Sequence, residues 1–312
     1  MKSILCILPL SLLLLSGKAQ EKVSFSTIPD TTIPRRVTIL TGATVVLYGT
    51  GLAALNAAWY RDYPRSNFHF FNDMEEWKQM DKLGHVFSAY FIGKYSRELW
   101  RWSGLPRKQQ IWIGGLSGFA YQSVVEVLDG FSSEWGFSWG DMAANAAGSA
   151  LLISQELAWN EQRIQIKFSA HPGRYEGAVL RDKTNQLFGT RFMERVLKDY
   201  NAQTYWLSVN LRSFAKDAGI PRWLNISVGY GAAQMYGGNA NWWISDDGHR
   251  FDYSSTPRIR QFYLSPDVDF TKIPTKKKGV KVIFQLLNML KFPAPTLEVT
   301  SQGKVRLHPI YF

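Results

Sequence analysis

The pattern of apolar and polar positions divides the chain near residue 160. Before it, apolar residues come in long runs separated by proline, glycine and aromatic loops. After it, short alternating stretches prevail. Residues 37–60 (VTILTGATVVLYGTGLAALNAAWY) hold no charge over 24 positions, long enough for a helix to cross a bilayer. Their Gly, Ala and Thr content suits close helix packing in lipid; a central helix buried in a soluble bundle fits the same pattern. Residues 74–102 predict a second helix, made amphipathic in its later half by Lys94, Arg97, Glu98 and Arg101. Pro106 breaks the chain, and residues 108–129 predict a third helix. An aromatic loop at 130–137 leads to a fourth helix at 139–158, with Ser138 as N-cap and Asp141 near the positive end of the helix dipole.

In the second half, residues 164–169 and 224–231 alternate, the latter placing Leu224, Ile226, Val228 and Tyr230 on one face. Residues 205–211 alternate too, although a helix also fits them. Residues 260–269 and 297–309 predict further strands, the last a hairpin turning at Gln302-Gly303, and Gly237-Gly238-Asn239 marks a turn. One helix is expected here. Val280, Ile283, Phe284, Leu287 and Leu290 share a side, Lys281, Gln285 and Asn288 lie opposite, and Lys276 to Lys278 precede them. This is the pattern of an interfacial membrane binder, or of a helix packed on the sheet with a solvated lysine edge. The chain ends in Phe312, as many outer-membrane barrels do, but about six strand candidates fall short of the roughly eight that the smallest such barrels need.

The N-terminus reads as a targeting segment. Lys2 precedes an apolar run from Ile4 to Leu15, too short to span a bilayer, and Gly17-Lys18-Ala19 offers a small-x-small cleavage site. Residues 1–19 are therefore expected to be a signal peptide and 20–36 a polar linker. The single cysteine, Cys6, lies inside that segment without a lipobox before it. The mature chain would then have no disulfide, no thiolate metal site and no cysteine nucleophile. Charge sharpens the division of the chain. The formal net charge is +11, and residues 160–312 carry 22 Lys and Arg against 12 Asp and Glu. For an exported protein this points to a membrane lipid or another anionic envelope surface as partner and away from nucleic acid; the charge would equally serve solubility.

Three of the expected helices carry polar residues at same-face spacing: Asp81 and His85; Gln122, Glu126 and Asp129; Asp141, Asn145 and Gly148. Each stripe lies in apolar sequence, and a buried carboxylate costs several kcal/mol unless paired. Three readings stay open. Asp81, His85, Glu126 and Asp141 form a mixed N/O ligand set suited to a divalent transition metal, which could activate water. Without metal, His85, Glu126 and Asp141 could work as acid and base. Alternatively, Lys82 and His85 pair the acids and the network only fixes helix register. Asp81, Lys82, Asp129 and Asn145 are the candidate ligand-binding groups around this centre.

The combination Asp81-Lys82-x-x-His85, Glu126, Trp135-Gly136-Phe137-Ser138-Trp139-x-Asp141, Asn145 and Gly148 resembles the YfiM-like family of predicted periplasmic lipoproteins, a domain of unknown function, over about residues 75–155. More loosely it is similar to VanZ-like membrane proteins, which share D-K-x-x-H, a mid-domain Glu and a late D-x-x-A-N-x-x-G, here Asp141 to Gly148. The chain departs from these patterns in lacking the lipobox cysteine and in reading Glu126-Val127-Leu128-Asp129 where VanZ-like proteins have Glu-x-x-Gln. The resemblance implies an envelope location and a helical fold, and it supplies no reaction. The expected architecture is a membrane-associated bundle of about four helices at 37–160, followed by a basic α+β region at 161–312 with a small antiparallel sheet. The expected function is that of an exported envelope protein, membrane-associated and facing the periplasm. It would either carry a buried polar site for a metal or lipid head group or act as a non-catalytic scaffold. In the scaffold reading the C-terminal region, the aromatic loop Phe131 to Trp139 or Trp242-Trp243 meets a partner.

Overall fold

The computed structural model describes residues 27–60 and 64–312. The expected signal peptide and the start of the expected linker lie outside the described residues. Helix α1 (Pro34–Leu55) opens on a proline, whose fixed φ suits a first turn and whose missing N–H would find no helical partner there. It continues through a π turn, Asn56–Tyr60. A 3-10 turn, Glu76–Gln79, leads into α2 (Met80–Trp102). Next, α3 (Arg107–Gln109), a π turn at Gln110–Gly114 and α4 (Gly115–Asp129) form one continuous rod. In α5 (Trp139–Trp159) the expected cap is present: Ser138 Oγ accepts the Asp141 N–H at 3.1 Å. The described helical half thus has eight helical segments, more than the expected four or so. The difference arises because π and 3-10 turns divide rods whose apolar pattern runs on without a break.

Helix α2 is the hub and packs on both α4 and α5. Two glycines allow this. A Cβ at Gly118 would lie 2.0 Å from the Ala89 carbonyl oxygen, and one at Gly148 would lie 2.3 Å from that of Val86. Any larger residue would push α4 or α5 away from α2. Tyr90, Phe91 and Leu152 fill the bundle core, and Met80 meets Tyr205, Ala232 and Met235 where the bundle joins the C-terminal half.

That half contains β1 (Ile164–Ala170), α6 (Ala178–Phe188), α7 (Phe192–Lys198), β2 (Gln203–Asn210), α8 (Leu211–Phe214) and β3 (Leu224–Ala233). A hairpin of β4 (Trp242–Ile244) and β5 (Arg250–Asp252) follows, then β6 (Ile259–Val268), α9 (Lys278–Leu287), β7 (Ala294–Thr300) and β8 (Val305–Tyr311). Residues 203–210 are strand, which resolves the ambiguity there. The main sheet has six antiparallel strands in the order β1-β2-β3-β6-β7-β8, and the last hairpin turns at Gly303, whose φ is 77°. Tyr311 Oη on β8 lies 3.1 Å from Thr204 Oγ1 on β2. In a flat sheet strands four places apart would be about 19 Å apart, so this sheet is strongly curled, and its concave face is the one that carries Thr204, Trp206 and Tyr311.

The concave face is polar and buried. On β3, Asn225 and Ser227 are buried while Ile226 and Val228 are exposed. On β6, Ser265 and Asp267 are buried while Phe262 and Leu264 are exposed, and on β7 the same holds for Thr296 and Glu298 against Leu297 and Val299. Ordinarily an antiparallel sheet with one wet face turns its apolar side inward. Here the polar side chains satisfy one another instead. Lys167 Nζ lies 2.9 Å from Asp267 Oδ2, both side chains fully buried. Asp267 also accepts from Ser208 Oγ at 2.6 Å, Ser208 accepts from Asn225 at 2.8 Å, and Asn225 accepts from Asn210 at 2.7 Å. Removing one partner of a buried pair leaves an uncompensated charge, a loss of about 3–5 kcal/mol. Lys167→Met is therefore expected to lower stability by about that amount, whereas Lys304→Met, at the exposed hairpin turn, is expected to be neutral. Denaturant melts of the two variants in detergent would measure the difference.

Candidate functional site

The three polar stripes converge because α4 and α5 pack on the face of α2 that carries Asp81 and His85. Lys82 Nζ sits among three aspartates, 2.6 Å from Asp73 Oδ2, 3.2 Å from Asp81 Oδ2 and 2.7 Å from Asp141 Oδ1. Asp73 comes from the loop before α2 and escaped the sequence reading, which looked for helical periodicity. Ser138 ties the loop to α5. Its Oγ donates to Asp73 Oδ1 at 2.6 Å while accepting the Asp141 N–H. Tyr200, from the C-terminal half, donates to Asp81 Oδ1 at 2.9 Å. It too was missed, because it lies 119 residues from its partner in a segment without a pattern.

His85 occupies the middle. Its Nδ1 lies 3.0 Å from Asn145 Oδ1. Gln122 Nε2 lies 3.4 Å from the same nitrogen, so both contacts hold the ring with Nε2 turned toward the carboxylates. Nε2 faces Glu126 Oε1 at 3.5 Å, Asp141 Oδ1 at 3.8 Å and Asp81 Oδ1 at 3.9 Å. Glu126 is 1% exposed and Asp141 4% exposed. Glu126 Oε2 accepts the Ser138 N–H at 3.3 Å, but Glu126 Oε1 has no hydrogen-bond donor. Asp141 Oδ1 has Lys82 Nζ at 2.7 Å as its close polar neighbour. Asp81, His85 and Asp141 can each bring a ligand atom within 4.8 Å of the other two, and Glu126 approaches through His85. Four tetrahedral ligands held at about 2.1 Å from a zinc-like ion are about 3.4 Å from one another, close to the spacings around Nε2. Asp129 is not at this centre. Its Oδ1 accepts from Tyr60 Oη at 2.6 Å, one turn beyond Glu126.

The charges at the centre are unequally held. Burial works against the Asp81 anion, but His85, Lys82 and the Tyr200 hydroxyl hold its carboxyl below the usual range. For Asp73 burial is likewise overcome, by hydrogen bonds from Asp141, Lys82 and Ser138. Asp141 goes the other way. Burial, then the Asp81 charge, push it up to about 10 against the pull of Lys82. Lys82 stays firmly charged despite burial, because Asp81 and Asp141 flank it. The centre thus holds a proton on Asp141 that a cation could replace.

The other candidate surfaces lie apart. Phe70, Phe137 and Trp139 pack as a cluster by the aromatic loop, with Phe70 and Phe137 ring centres 5.5 Å apart. Trp243 stacks on Phe251 and Tyr253 beside the β4–β5 hairpin.

Residues 69–155 match the family model described as predicted periplasmic lipoprotein (DUF2279), in agreement with the resemblance carried by Asp81-Lys82-x-x-His85 and the Trp135 to Asp141 motif. The match contains every group around His85 except Tyr200, and it ends before β1. The chain is accordingly an exported, membrane-associated envelope protein facing the periplasm. No curated protein and no solved structure matches it.

The raised Asp141 carboxyl has a consequence for stability. Its ordinary value is 3.8 and its folded value about 10, so between those values the folded state binds more protons than the unfolded chain. The contribution of Asp141 to stability is fully present below its unfolded value and falls as pH rises through the window. In chelator-treated protein, Asp141→Asn is therefore expected to flatten the decline of melting temperature between about pH 5 and 9 and to raise stability at the upper end. A parallel decline in both proteins would count against this assignment.

Proposed function

We propose that the helical half is a divalent-cation-binding domain, in which Asp81, His85 and Asp141 are ligands and Glu126 completes or orients the set. The observation that carries this reading is the set of carboxylate oxygens around Nε2 of the half-buried His85, of which Glu126 Oε1 is buried without a hydrogen-bond partner. Four carboxyl groups, from Asp73, Asp81, Glu126 and Asp141, meet one lysine; burial pushes Glu126 up to about 8 and Asp141 up to about 10, and a divalent ion would take the place of the protons they hold and balance the charge released. The ligands come from α2, α4 and α5, so a bound ion would clamp the bundle. Through Tyr200 on Asp81 the ion would also clamp the joint to the C-terminal half. Exposure at the centre is slight and greatest at Asp81, at 27% of its side chain, which suits retention of an ion better than turnover of a bulky substrate. Helix α1, uncharged after Arg36 and largely exposed, would anchor this domain to the membrane.

A second reading has its own support, since Lys82 already lies within 3.2 Å of three aspartates. On that reading the lysine is the cation and the cluster is a metal-free network that sets helix register, with the protein acting as an envelope scaffold. Thermal unfolding separates the two. An ion at about one hundred times its Kd adds about 2.7 kcal/mol to a folded state that alone binds it. The wild type stripped with chelator is expected to melt lower and to recover with zinc or manganese, and His85→Ala and Asp81→Asn are expected to lose the response. A wild type indifferent to both treatments would favour the lysine-paired network.

A further inference from the structure

The curled sheet presents its apolar side chains outward, and among the described residues nothing covers most of them. Val228 is 55% exposed, Leu307 70% and Ile310 74%. Helix α2 covers this face at one end only, where Phe87 packs on Phe168 and Tyr205 with ring centres 5.5 and 5.8 Å away. The concave face cannot exchange roles with the convex one, because it holds the Lys167–Asp267 pair and its hydrogen-bonded neighbours. The surface is therefore apolar by construction: a one-residue change of register would bury leucines and expose the ion pair. A sheet with polar groups inside and aliphatic groups outside is the arrangement of proteins whose outer solvent is lipid.

Two neighbouring elements agree. In α9 the apolar residues Val282, Ile283 and Leu286 point outward and are more than half exposed. The helix is not packed on the sheet through that side, so the interfacial reading of its sequence is the better supported. Lys276 and Lys277 stand exposed just before it, where head-group phosphates would meet them. On the bundle, α4 packs on α2 and α5, and on another side it exposes Leu116 and Val127, with Trp112 of the preceding π turn exposed beside them. A second copy or a folded partner would cover one patch of fixed shape, whereas a fluid apolar medium would cover patches on several sides at once.

We infer that the convex face of the six-stranded sheet, together with α9, is seated in the hydrocarbon of an envelope membrane, with the polar concave face as the molecule's interior. The sheet is seated there without being a closed barrel. The β1 edge is partly closed by the segment after α9, with Phe168 N donating to Met289 O at 3.0 Å and Lys291 N to Phe168 O at 2.9 Å. The other edge, β8, has no further strand beside it among the described residues and is blunted by Pro309 and by a register shift against β7; because unpaired backbone groups are not accommodated in hydrocarbon, this edge lies at the head-group level.

The test uses the full chain, whose single cysteine is Cys6. In a Cys6→Ser background, Val228→Cys, Leu264→Cys, Leu297→Cys and, as the aqueous control, Lys304→Cys would each carry an environment-sensitive fluorophore. The proteins would be reconstituted in phosphatidylethanolamine–phosphatidylglycerol vesicles. A nitroxide on the lipid acyl chain is expected to quench the three sheet positions severalfold more than position 304, and aqueous iodide is expected to do the reverse. Iodide quenching of the sheet positions equal to that at 304 would overturn the inference. So would shielding from both quenchers with cysteine cross-links forming between copies, which would make this face a protein interface. A second measurement leaves the fold alone, because both side chains are exposed. Because α1 would hold the chain on the vesicle in any case, the readout is depth: the double variant Val228→Lys, Leu264→Lys is expected to lower acyl-chain nitroxide quenching of the fluorophore at Leu297→Cys severalfold and to raise its iodide quenching, and unchanged quenching would contradict the proposal.

Discussion

A charge removed from water must be met by another charge or by a full set of hydrogen bonds, and both halves of this protein are organised around that requirement. In the helical half Lys82 gathers Asp73, Asp81 and Asp141 from a loop and two helices. In the sheet Lys167 and Asp267 meet with neither side chain exposed. Each pair fixes its surroundings. The first fixes how α5 lies on α2, helped by Gly148, which has no Cβ to strike the Val86 carbonyl. The second commits the even-numbered or odd-numbered positions of each strand to the interior. Once the polar groups are inside, the apolar ones are outside, and the proposed seating of the sheet in lipid rests on that arrangement of its interior.

The two halves are joined along the same lines. Tyr200 reaches from the C-terminal half to Asp81, and Lys94 of α2 donates to Gln165 Oε1 of β1 at 3.0 Å. Gln165 in turn donates to Asp269 at 2.9 Å and accepts from Asn288 at 2.6 Å, so α2 touches the polar interior of both halves. The family match stops at residue 155. The centre around His85 thus belongs to the part shared with the predicted periplasmic lipoproteins, and the sheet lies beyond that shared part.

Much of this was open to reading from residues alone. The long helices are visible because their apolar runs are long, and Ser138 and Asp141 mark the start of α5 by residue type. The stripe of Asp81, His85, Glu126, Asp141 and Asn145 was legible because i, i+4 spacing puts groups on one side of a helix. Asp129 shows the limit of that rule: it lies about 4.5 Å further along the axis than Glu126, and height along a helix matters as much as face. Asp73 and Tyr200 carried no periodic signal at all. In the sheet, alternation predicted the strands but not which face is inside, since a period of two reads the same either way. The discriminating signal was the charge at Lys167, Asp267 and Glu298, placed among the polar positions of strands whose other positions are aliphatic. The short elements α6, α7 and the β4–β5 hairpin are set by tertiary contacts and left little trace in the pattern.

The central claim is that the centre around His85 holds one ion. It is tested most directly by elemental mass spectrometry of the detergent-purified protein, with the wild type beside His85→Ala and Asp141→Asn. The account predicts one equivalent of a divalent transition metal in the wild type and its loss from both variants. A wild type without stoichiometric metal after growth and purification with added zinc and manganese would contradict the account and leave Lys82 as the cation that pairs the aspartates.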